Sequence, residues 1–401
     1  YKRQMKDSGI EWIGEIPERW EIVPVRSCFD EVRTKNTNGQ EQNALQFKSG
    51  NIISKTNFNA SMDDYVADTI TNYTVVLPDT VMINGLNLNY DFKSLRVALV
   101  KEKGVITSAY LAIFPDRKKI SPQYATYLFK GYETKMAFHN MGAGIRKTLG
   151  YKEFKNQPLL LPSEKEQNKI SAYLDSKCSH IDIMLSKIRS SIEEYKKLKQ
   201  AVITQAVTKG VRGKREMKDS GVEWIGEIPA EWSIAKAKYY VTITHGSDPK
   251  TEGSIPVYGS GAESFKTCGE YKEGPTVLIG RKGATLHIPH YIEGKYWNVD
   301  TAFDVKAKNN FSLPYYYYLA TSFDYKFYIA QTTLPGMTQS NYYNMFLPLP
   351  TFPEQEEIVN YLDAKCAEID GLIAKKEQLV RELESYKKSL IYEVVTGKRE
   401  V

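Results

Sequence analysis

Two stretches of the chain repeat their apolar residues at helical spacing over unusual lengths. In residues 164–207, Leu174, Ile181, Ile188, Tyr195 and Val202 recur at every seventh position, and Leu185 and Ile192 widen the stripe. In residues 352–395 the series is Leu362, Ile369, Leu383 and Leu390, flanked by Ile373 and Val380 and interrupted by Lys376. A seven-residue repeat of this kind predicts an amphipathic helix with a coiled-coil-like seam. Each stretch opens on a capping box, Ser163-x-x-Glu166 and Thr351-x-x-Glu354, in which hydroxyl and carboxylate satisfy the first N–H groups reciprocally. Pro353 falls in the first turn, where a missing N–H costs little. A helix of 44 residues spans roughly 65 Å, and one apolar stripe that long needs a partner. The other helix, packed antiparallel, is the economical choice; a helix from a second molecule is the alternative. The opposite faces, rich in Lys and Glu, read as solvated, with room to dock other subunits.

Ahead of each helix the periodicity changes. Residues 23–155 and 235–344 hold short β-branched and aromatic runs broken by Gly, Asn and Pro. Val75-Val76-Leu77, Val81-Met82-Ile83, Val97-Ala98-Leu99-Val100, Ile255-Pro256-Val257-Tyr258 and Thr276-Val277-Leu278-Ile279 read as strands. Lys48-Ser49-Gly50 echoes Gly259-Ser260-Gly261, and Ser108-Ala109-Tyr110 echoes Thr301-Ala302-Phe303. The expected architecture is α+β: two similar globular domains separated by two long antiparallel helices forming a coiled coil, in a cyclic pseudo-two-fold arrangement. The boundaries read as a leading segment 1–22, a first domain 23–155, and a central region 156–216 with its helix. A second domain follows at 217–345, its opening segment being 217–234, and then a closing region 346–401 with the other helix.

The similarity of the halves is explicit in the residues. Met5-Lys6-Asp7-Ser8-Gly9-Ile10-Glu11-Trp12-Ile13-Gly14-Glu15-Ile16-Pro17 returns, with Val222 for Ile10, as Met217 to Pro229, and Trp20 returns as Trp232, all at an offset of 212. Later pairs keep an offset of 188: Glu166-Gln167 with Glu354-Gln355, Tyr173-Leu174-Asp175 with Tyr361-Leu362-Asp363, Ile181-Asp182 with Ile369-Asp370, and Val207-Thr208 with Val395-Thr396. The middle of the second copy is therefore 24 residues shorter, and there the similarity almost vanishes. Fixed ends with freely differing middles suit a molecule that binds two unlike halves of one target in the same geometry. Gly397-Lys398-Arg399-Glu400 repeats Gly213-Lys214-Arg215-Glu216, which leads into the second Met-Lys-Asp-Ser-Gly. The chain end thus reads as though it ran on into Lys2, which predicts a cyclic molecule with its termini close together.

Composition narrows this picture only a little. The 401 residues suffice for two ordinary domains, and a net charge of +6 permits a polyanionic partner without requiring one. No apolar run reaches the length of a membrane span, and the chain opens on Tyr1, so a few leading residues are expected to precede it. Cys28, Cys178, Cys268 and Cys366 are scattered, as in a reduced cytoplasmic protein with buried inert thiols rather than a zinc site. The 28 tyrosines, Tyr315 to Tyr318 included, read mostly as core and sheet residues.

Candidate chemistry lies in the loops. Arg281 and Lys282 sit at a Gly-flanked turn after a strand. Gly142 to Thr148, with Arg146, Lys147 and Thr148, and Gly336 to Ser340, with Thr338, Gln339 and Ser340, precede the two helices. Gly lets backbone approach a phosphate, Arg takes guanine bidentately and Gln takes adenine. Lys48, Ser49, Asn84 and Ser260 complete the candidate DNA-contacting set; a structural turn is the competing reading at each position. No phosphate loop, dinucleotide fingerprint, amino-methyltransferase tetrapeptide or His-x-x-x-His pair is present, and Pro115-Asp116 is not followed by the Glu-x-Lys of a nuclease. No catalytic residue and no metal ligand is assigned. The chain is expected to be no enzyme, against the alternatives of a fused methyltransferase or nuclease.

Gly-x-x-Trp-Ile-Gly-x-Ile-Pro-x-x-Trp opening each half, Pro158-Leu159-Leu160-Leu161-Pro162 with Gln167 and Leu347-Pro348-Leu349-Pro350 with Gln355 closing them, and the two Tyr-Leu-Asp…Ile-Asp…Val-Thr helices together resemble the specificity (S) subunit of type I restriction-modification systems. The resemblance covers essentially the whole chain. It implies two target-recognition domains that each read half of an asymmetric bipartite DNA site, with the helices as ruler and docking surface for two modification subunits. Those subunits would carry S-adenosylmethionine and methylate adenine; restriction subunits using ATP and magnesium would join, and this chain would bind no cofactor. A coiled-coil scaffold with two protein-binding domains and no DNA role is the rival.

Overall fold

A computed structural model describes residues 3–48, 50–55, 70–92, 95–145, 147–261, 263–308, 310–325, 328 and 336–401. The chain forms two compact units, Tyr1–Lys187 with Leu379–Val401 and Ile188–Gln378. The division passes through both long helices, Glu164–Lys209 and Phe352–Val395. Each unit therefore contains the beginning of one helix and the end of the other.

In the first unit a leading hairpin pairs Met5–Asp7 with Glu15–Pro17, and Glu21–Pro24 pairs antiparallel with Pro158–Leu161 just before the first long helix. The central sheet has four antiparallel strands in the order Phe29–Glu31, Leu111–Pro115, Val81–Ile83, Val97–Leu99. Its strands are apolar on both faces because both are covered. Val81, Ile83, Leu111 and Ile113 meet the core under helix Pro122–Thr134, while Met82, Ala98 and Ala112 meet a second cluster with Leu45 and Val76. That division by alternate residues is the two-residue period of a strand. Ser121 caps the helix by accepting from Tyr124 N, and Pro122 takes the first turn.

The second unit repeats this plan. Met217–Asp219 pairs with Glu227–Pro229, and Ser233–Lys236 with Phe346–Leu349. The sheet order is Val241–His245, Ala302–Ala307, Thr276–Gly280, His290–Ile292, and helix Leu313–Ser322 starts on a Ser312 cap with Pro314 behind it. The difference is an added four-stranded sheet, in the order Lys266–Cys268, Ile255–Tyr258, Lys295–Asn298, Lys272–Glu273. Among the described residues the first unit has two strand pairs instead, Leu45–Lys48 with Asn51–Ser54 and Thr74–Val76 with Gly104–Ile106. The run from Tyr315 to Tyr318 serves the core: Tyr315 and Tyr316 are fully buried, and the Tyr315 hydroxyl donates to Pro348 O and Val207 O.

Helix meets helix inside each unit. In the second unit, Lys376 Nζ lies 5.4 Å from the Tyr195 ring, Lys199 Nζ is 2.6 Å from Asp370 Oδ2, and Arg212 grips the Glu357 carboxylate at 2.8 Å. Rising numbers on one helix meet falling numbers on the other, so the pair is antiparallel. In the first unit Lys387 Nζ is 2.6 Å from Asp182 Oδ1. This is the repeat's own copy of the Lys199–Asp370 bond, each residue displaced by 188. Such half-exposed pairs contribute about 0–1 kcal/mol each and serve register more than stability. Of the heptad residues, Leu174, Ile181 and Leu390 are buried in the first core and Leu362 in the second; Ile369 is also buried. Leu383 and Val202 are half-buried against those cores, and Ile188 and Tyr195 are half-buried on the helix. The stripe is thus shared between helix partner and globular core.

The end of the chain closes onto the first unit. Tyr392 donates from its hydroxyl to Trp12 O at 2.7 Å, and Gly397 rests on Pro17 and Trp20. Gly397 has φ +71°, and a Cβ there would stand 2.3 Å from Pro17, so both backbone and space require glycine. Gly210 ends the first helix in the same way against Trp232. Tyr1 and Lys2 lie outside the described residues. All four cysteines are free and buried, and burial pushes their thiols up. No described helix is long and apolar enough to cross a membrane.

Candidate nucleic-acid interface

One set of polar bonds, made twice, holds the parts of each unit together. Glu166 accepts from Trp20 Nε1 at 3.4 Å and is paired with Arg3; Glu354 accepts from Trp232 Nε1 at 3.1 Å and pairs with Arg215 at 2.7 Å. In both, the guanidinium carbon lies 5.4 Å from the indole centroid. This corrects the capping-box expectation for the two glutamates. Ser163 Oγ does accept from Glu166 N and donates to Glu166 Oε2 at 3.1 Å, but Glu166 Oε1 and the Glu354 carboxylate take bonds from tryptophans far away in sequence rather than from the capping backbone N–H. Gln167 and Gln355 are buried, accept from Ser121 N and Ser312 N at 2.8 Å, and donate to Pro162 O and Pro350 O at 3.0 Å. Tyr127 donates to Asp175 at 2.7 Å and Tyr318 to Asp363 at 2.6 Å. Burial and the acceptor carboxylate push both phenols far up, so they stay neutral donors.

On this repeated frame the candidate residues gather around the loop that leaves the third strand of each sheet. In the first unit that loop starts at Asn84, whose Oδ1 accepts from Leu86 N at 3.2 Å. A tight turn packs on it: Ala143 and Thr148 bridge, Leu88 N donates to Lys147 O, and Asn89 Nδ2 donates to Ile145 O at 3.1 Å. Lys147 and Thr148 are exposed there, and Ile145 at the tip is 94% exposed. The hairpin carrying Lys48 lies against the far end of the same loop, through Gly50 and Leu95. Lys48, Asn84, Lys147 and Thr148 therefore share one loop cluster. Ser49 and Arg146 lie outside the described residues.

In the second unit the corresponding loop carries Arg281 and Lys282. Lys282 bridges to Gly336, Met337 N donates to Arg281 O at 2.9 Å, and Ser260 Oγ is 3.3 Å from Thr285 Oγ1. Ser260, Arg281, Lys282 and Thr338 are so brought together. Lys282 is exposed; Arg281 is tethered through NH1 to Asp300 O at 3.0 Å, which leaves its other N–H groups for a ligand. Thr338 caps the helix Gln339–Asn344 by accepting from Asn341 N, and Ser340 is exposed on it. Gln339 is engaged internally, donating to Ile243 O at 2.7 Å. The segments Gly142 to Thr148 and Gly336 to Ser340 adjoin rather than coincide. Leu149 N bonds Gly85 O just as Met337 N bonds Arg281 O, so Thr148 corresponds to Gly336.

Two supports of these loops carry no motif in sequence. Arg96 is fully buried and clamps the first loop by donating from NH1 to Asn84 O and Leu86 O at 2.9 Å, with its own N–H on Glu133. Burial raises the Glu133 carboxyl to about 7, against the pull of its amide and cationic neighbours. In the second unit Lys272 Nζ joins Asp304 Oδ2 at 2.9 Å and Asn298 Oδ1 at 2.8 Å, with the Tyr296 hydroxyl also on Asp304, tying the added sheet to the central one. Only the hydrophobic run beginning at Val97 hinted that Arg96 was interior. The two clusters differ in character: the first combines the exposed Ile145 and the amide of Asn84 with Lys48, Lys147 and Thr148, and the second gathers Arg281 and Lys282 with the hydroxyls of Ser260 and Thr338.

A family model described as the type I restriction modification DNA specificity domain matches residues 235–381. Two relatives from Methanocaldococcus jannaschii align along almost all of the chain. The putative type I restriction enzyme MjaX specificity subunit is 23% identical, over 96% of this chain and 95% of its own. The type I restriction enzyme MjaVIII specificity subunit is 22% identical, over 96% and 93%. Residues 235–381 thus match the specificity domain, and along almost its whole length the chain is similar to type I restriction enzyme specificity subunits. Specificity subunits are the non-catalytic members of those enzymes. Two solved structures share the fold at low identity. A chain from a study of complex assembly and conformational transition of the type I restriction-modification system matches with TM-score 0.70 at 14% identity, covering 96% of this chain and 99% of that one. The HsdS subunit from Thermoanaerobacter tengcongensis matches with TM-score 0.52 at 15% identity, covering 98% and 100%.

Proposed function

We propose that this chain is a specificity subunit that directs its complex to an asymmetric, two-part DNA site, each unit reading one half through the loop cluster on its central sheet. The observation that carries the reading is the contrast within the repeat. The bonds of Glu166, Gln167 and Asp175 recur at Glu354, Gln355 and Asp363, whereas the loops beginning at Asn84 and Arg281 share neither residues nor chemistry. A repeated frame holds two readers in one geometry; unlike loops let them read unlike bases. Lys48, Lys147, Lys282 and Arg281 would supply phosphate or base contacts, and Asn84, Thr148, Ser260, Thr338 and Ser340 are the polar groups beside them. The long helices set the spacing between the half-sites.

In this reading two modification subunits assemble on the repeated frame and methylate adenine in each half-site, with restriction subunits joining the larger complex. S-adenosylmethionine and ATP with magnesium belong to those partners, and this chain holds none of them. The experiment is a domain exchange in the assembled complex: replacing residues 23–155 with the same region of a relative should change one half of the methylated sequence and leave the other. A change in both halves would refute the modular reading. The rival, a scaffold with two protein-binding domains, requires that the complex show no salt-dependent, sequence-specific affinity for DNA.

A further inference from the structure

Among the described residues of the first unit, the three most exposed large apolar side chains all stand at the loop cluster. Ile145 is 94% exposed at the tip of the turn Gly142 to Thr148, and Tyr90 and Phe92 are 71% and 57% exposed on the loop that starts at Asn84. Leu95, also exposed, ends that loop beside the Lys48 hairpin. Single apolar residues scattered over a surface need no explanation, but several in one place mark a contact surface.

The backbone that carries these side chains is braced. The Ile145 carbonyl accepts from Asn89 Nδ2 at 3.1 Å, and the turn is closed by the Ala143–Thr148 bridge and by Lys147 N donating to Gly144 O at 3.1 Å. Tyr90 N and Asp91 N both donate to Asn87 O, while Asp91 O accepts from the buried Arg96 and lies 3.1 Å from His139 Nε2. The Phe92 ring rests on the His139 imidazole, with centroids 5.0 Å apart and planes 11° from parallel. These bonds use the backbone and leave the three side chains exposed as a preorganised apolar ridge.

Resting on the DNA reading above, we propose that this ridge recognises thymine methyl groups in the half-site read by the first unit, with Ile145 as a specificity-determining residue. An intact duplex offers a side chain without donors or acceptors one apolar feature in the major groove, the C5-methyl of thymine. The surroundings favour DNA over a protein as the occupant. Exposed Lys147 and Thr148 stand close behind Ile145, and exposed Lys48 lies at the far end of the loop. Residues 84–92 and 141–148 contain one carboxylate, Asp91, and Arg96 offsets its charge at 3.7 Å. Cations at the flanks and no uncompensated carboxylate between them suit the approach of phosphates on either side of a groove.

The test is a thermodynamic cycle on the assembled complex and its selected duplex. Each thymidine in the half-site that the exchange of residues 23–155 identifies is replaced singly by deoxyuridine, which deletes one methyl group and nothing else. At one position or more this should weaken binding about fourfold, the equivalent of one buried methyl group. Ile145→Ser, at a side chain too exposed to matter for folding, should weaken binding of the thymidine duplex by a similar factor and then bind the deoxyuridine duplex equally well. Ile145→Val should retain the discrimination, and deoxyuridine in the other half-site should affect all chains alike. Equal affinity of the unmodified chain for every duplex, or an undiminished deoxyuridine effect in Ile145→Ser, would overturn the proposal while leaving two-part recognition intact. So would an Ile145→Ser chain that binds DNA normally but loses a subunit of its complex, the sign of a protein contact. A complex with no sequence preference would overturn the DNA reading itself.

Discussion

Gln355→Met removes a buried amide and leaves nearly the same volume behind, so its effect isolates hydrogen bonding from packing. Gln355 is 2% exposed; its Oε1 holds Ser312 N at the start of a core helix, and its Nε2 holds Pro350 O at the end of the closing strand. The substitution orphans one buried donor and one buried acceptor, and each costs about 1–3 kcal/mol, so the unit should lose about 2–6 kcal/mol. Gln167→Met should cost the first unit at least as much, because Gln167 Nε2 also donates to Lys119 O at 3.2 Å. Hydrogen–deuterium exchange read by mass spectrometry on the full chain localises the loss. Amides of residues 313–322 should exchange faster in one variant and those of residues 122–134 in the other. A stability change below about 0.5 kcal/mol at both positions, or equal exchange in both helices, would refute the claim that these glutamines hold the repeated frame.

Two further outcomes follow from the loop supports. The folded protein holds a proton on Glu133 that the unfolded chain releases at its ordinary value of 4.5, so this group favours folding at low pH and loses that contribution as pH rises through about 7. Glu133→Gln, which keeps an acceptor for Arg96 N, should melt higher than the unmodified chain at pH 8 and alike below pH ~5; a lower melting point at pH 8 would contradict this. Gly280→Ala places a Cβ 2.2 Å from Leu286 Cα, a backbone clash that only movement of the loop can relieve. It should cost about 1–3 kcal/mol and displace Arg281 and Lys282. DNA affinity of the assembled complex should fall roughly tenfold or more, about 1.4 kcal/mol, with base preference lost in one half-site only.

What the sequence made legible depended on range. The heptads place the helices almost to the residue, 164–207 against Glu164–Lys209 and 352–395 against Phe352–Val395, because that signal is local and long. Strands such as Ile255–Tyr258 and Val97–Leu99 were readable as apolar runs bounded by turns. The sheet order was not, since pairing Phe29–Glu31 with Leu111–Pro115 is a decision made some eighty residues apart. Glu166 and Glu354 show the same limit: their spacing from Ser163 and Thr351 fits a cap, and only the fold brings Trp20 and Trp232 to them. At the candidate interface, Gly-flanked cations marked the loops that do converge, Lys147 with Asn84 and Lys282 with Ser260. Residue type alone did not distinguish Gln339, held inward on Ile243 O, from the exposed Ser340 beside it. Arg96 was invisible because a cation is ordinarily a surface residue, and its burial is warranted only by carbonyls that the loop turns toward it.

Two readers held in one repeated frame should select a two-part site, and the DNA sequence selected by the assembled complex tests that most directly. Selection of bound duplexes from a random pool, followed by sequencing, should return two short unlike half-sites separated by an unspecified gap of fixed length. Recovery of a single continuous motif, of two identical half-sites, or of no preferred sequence would contradict it.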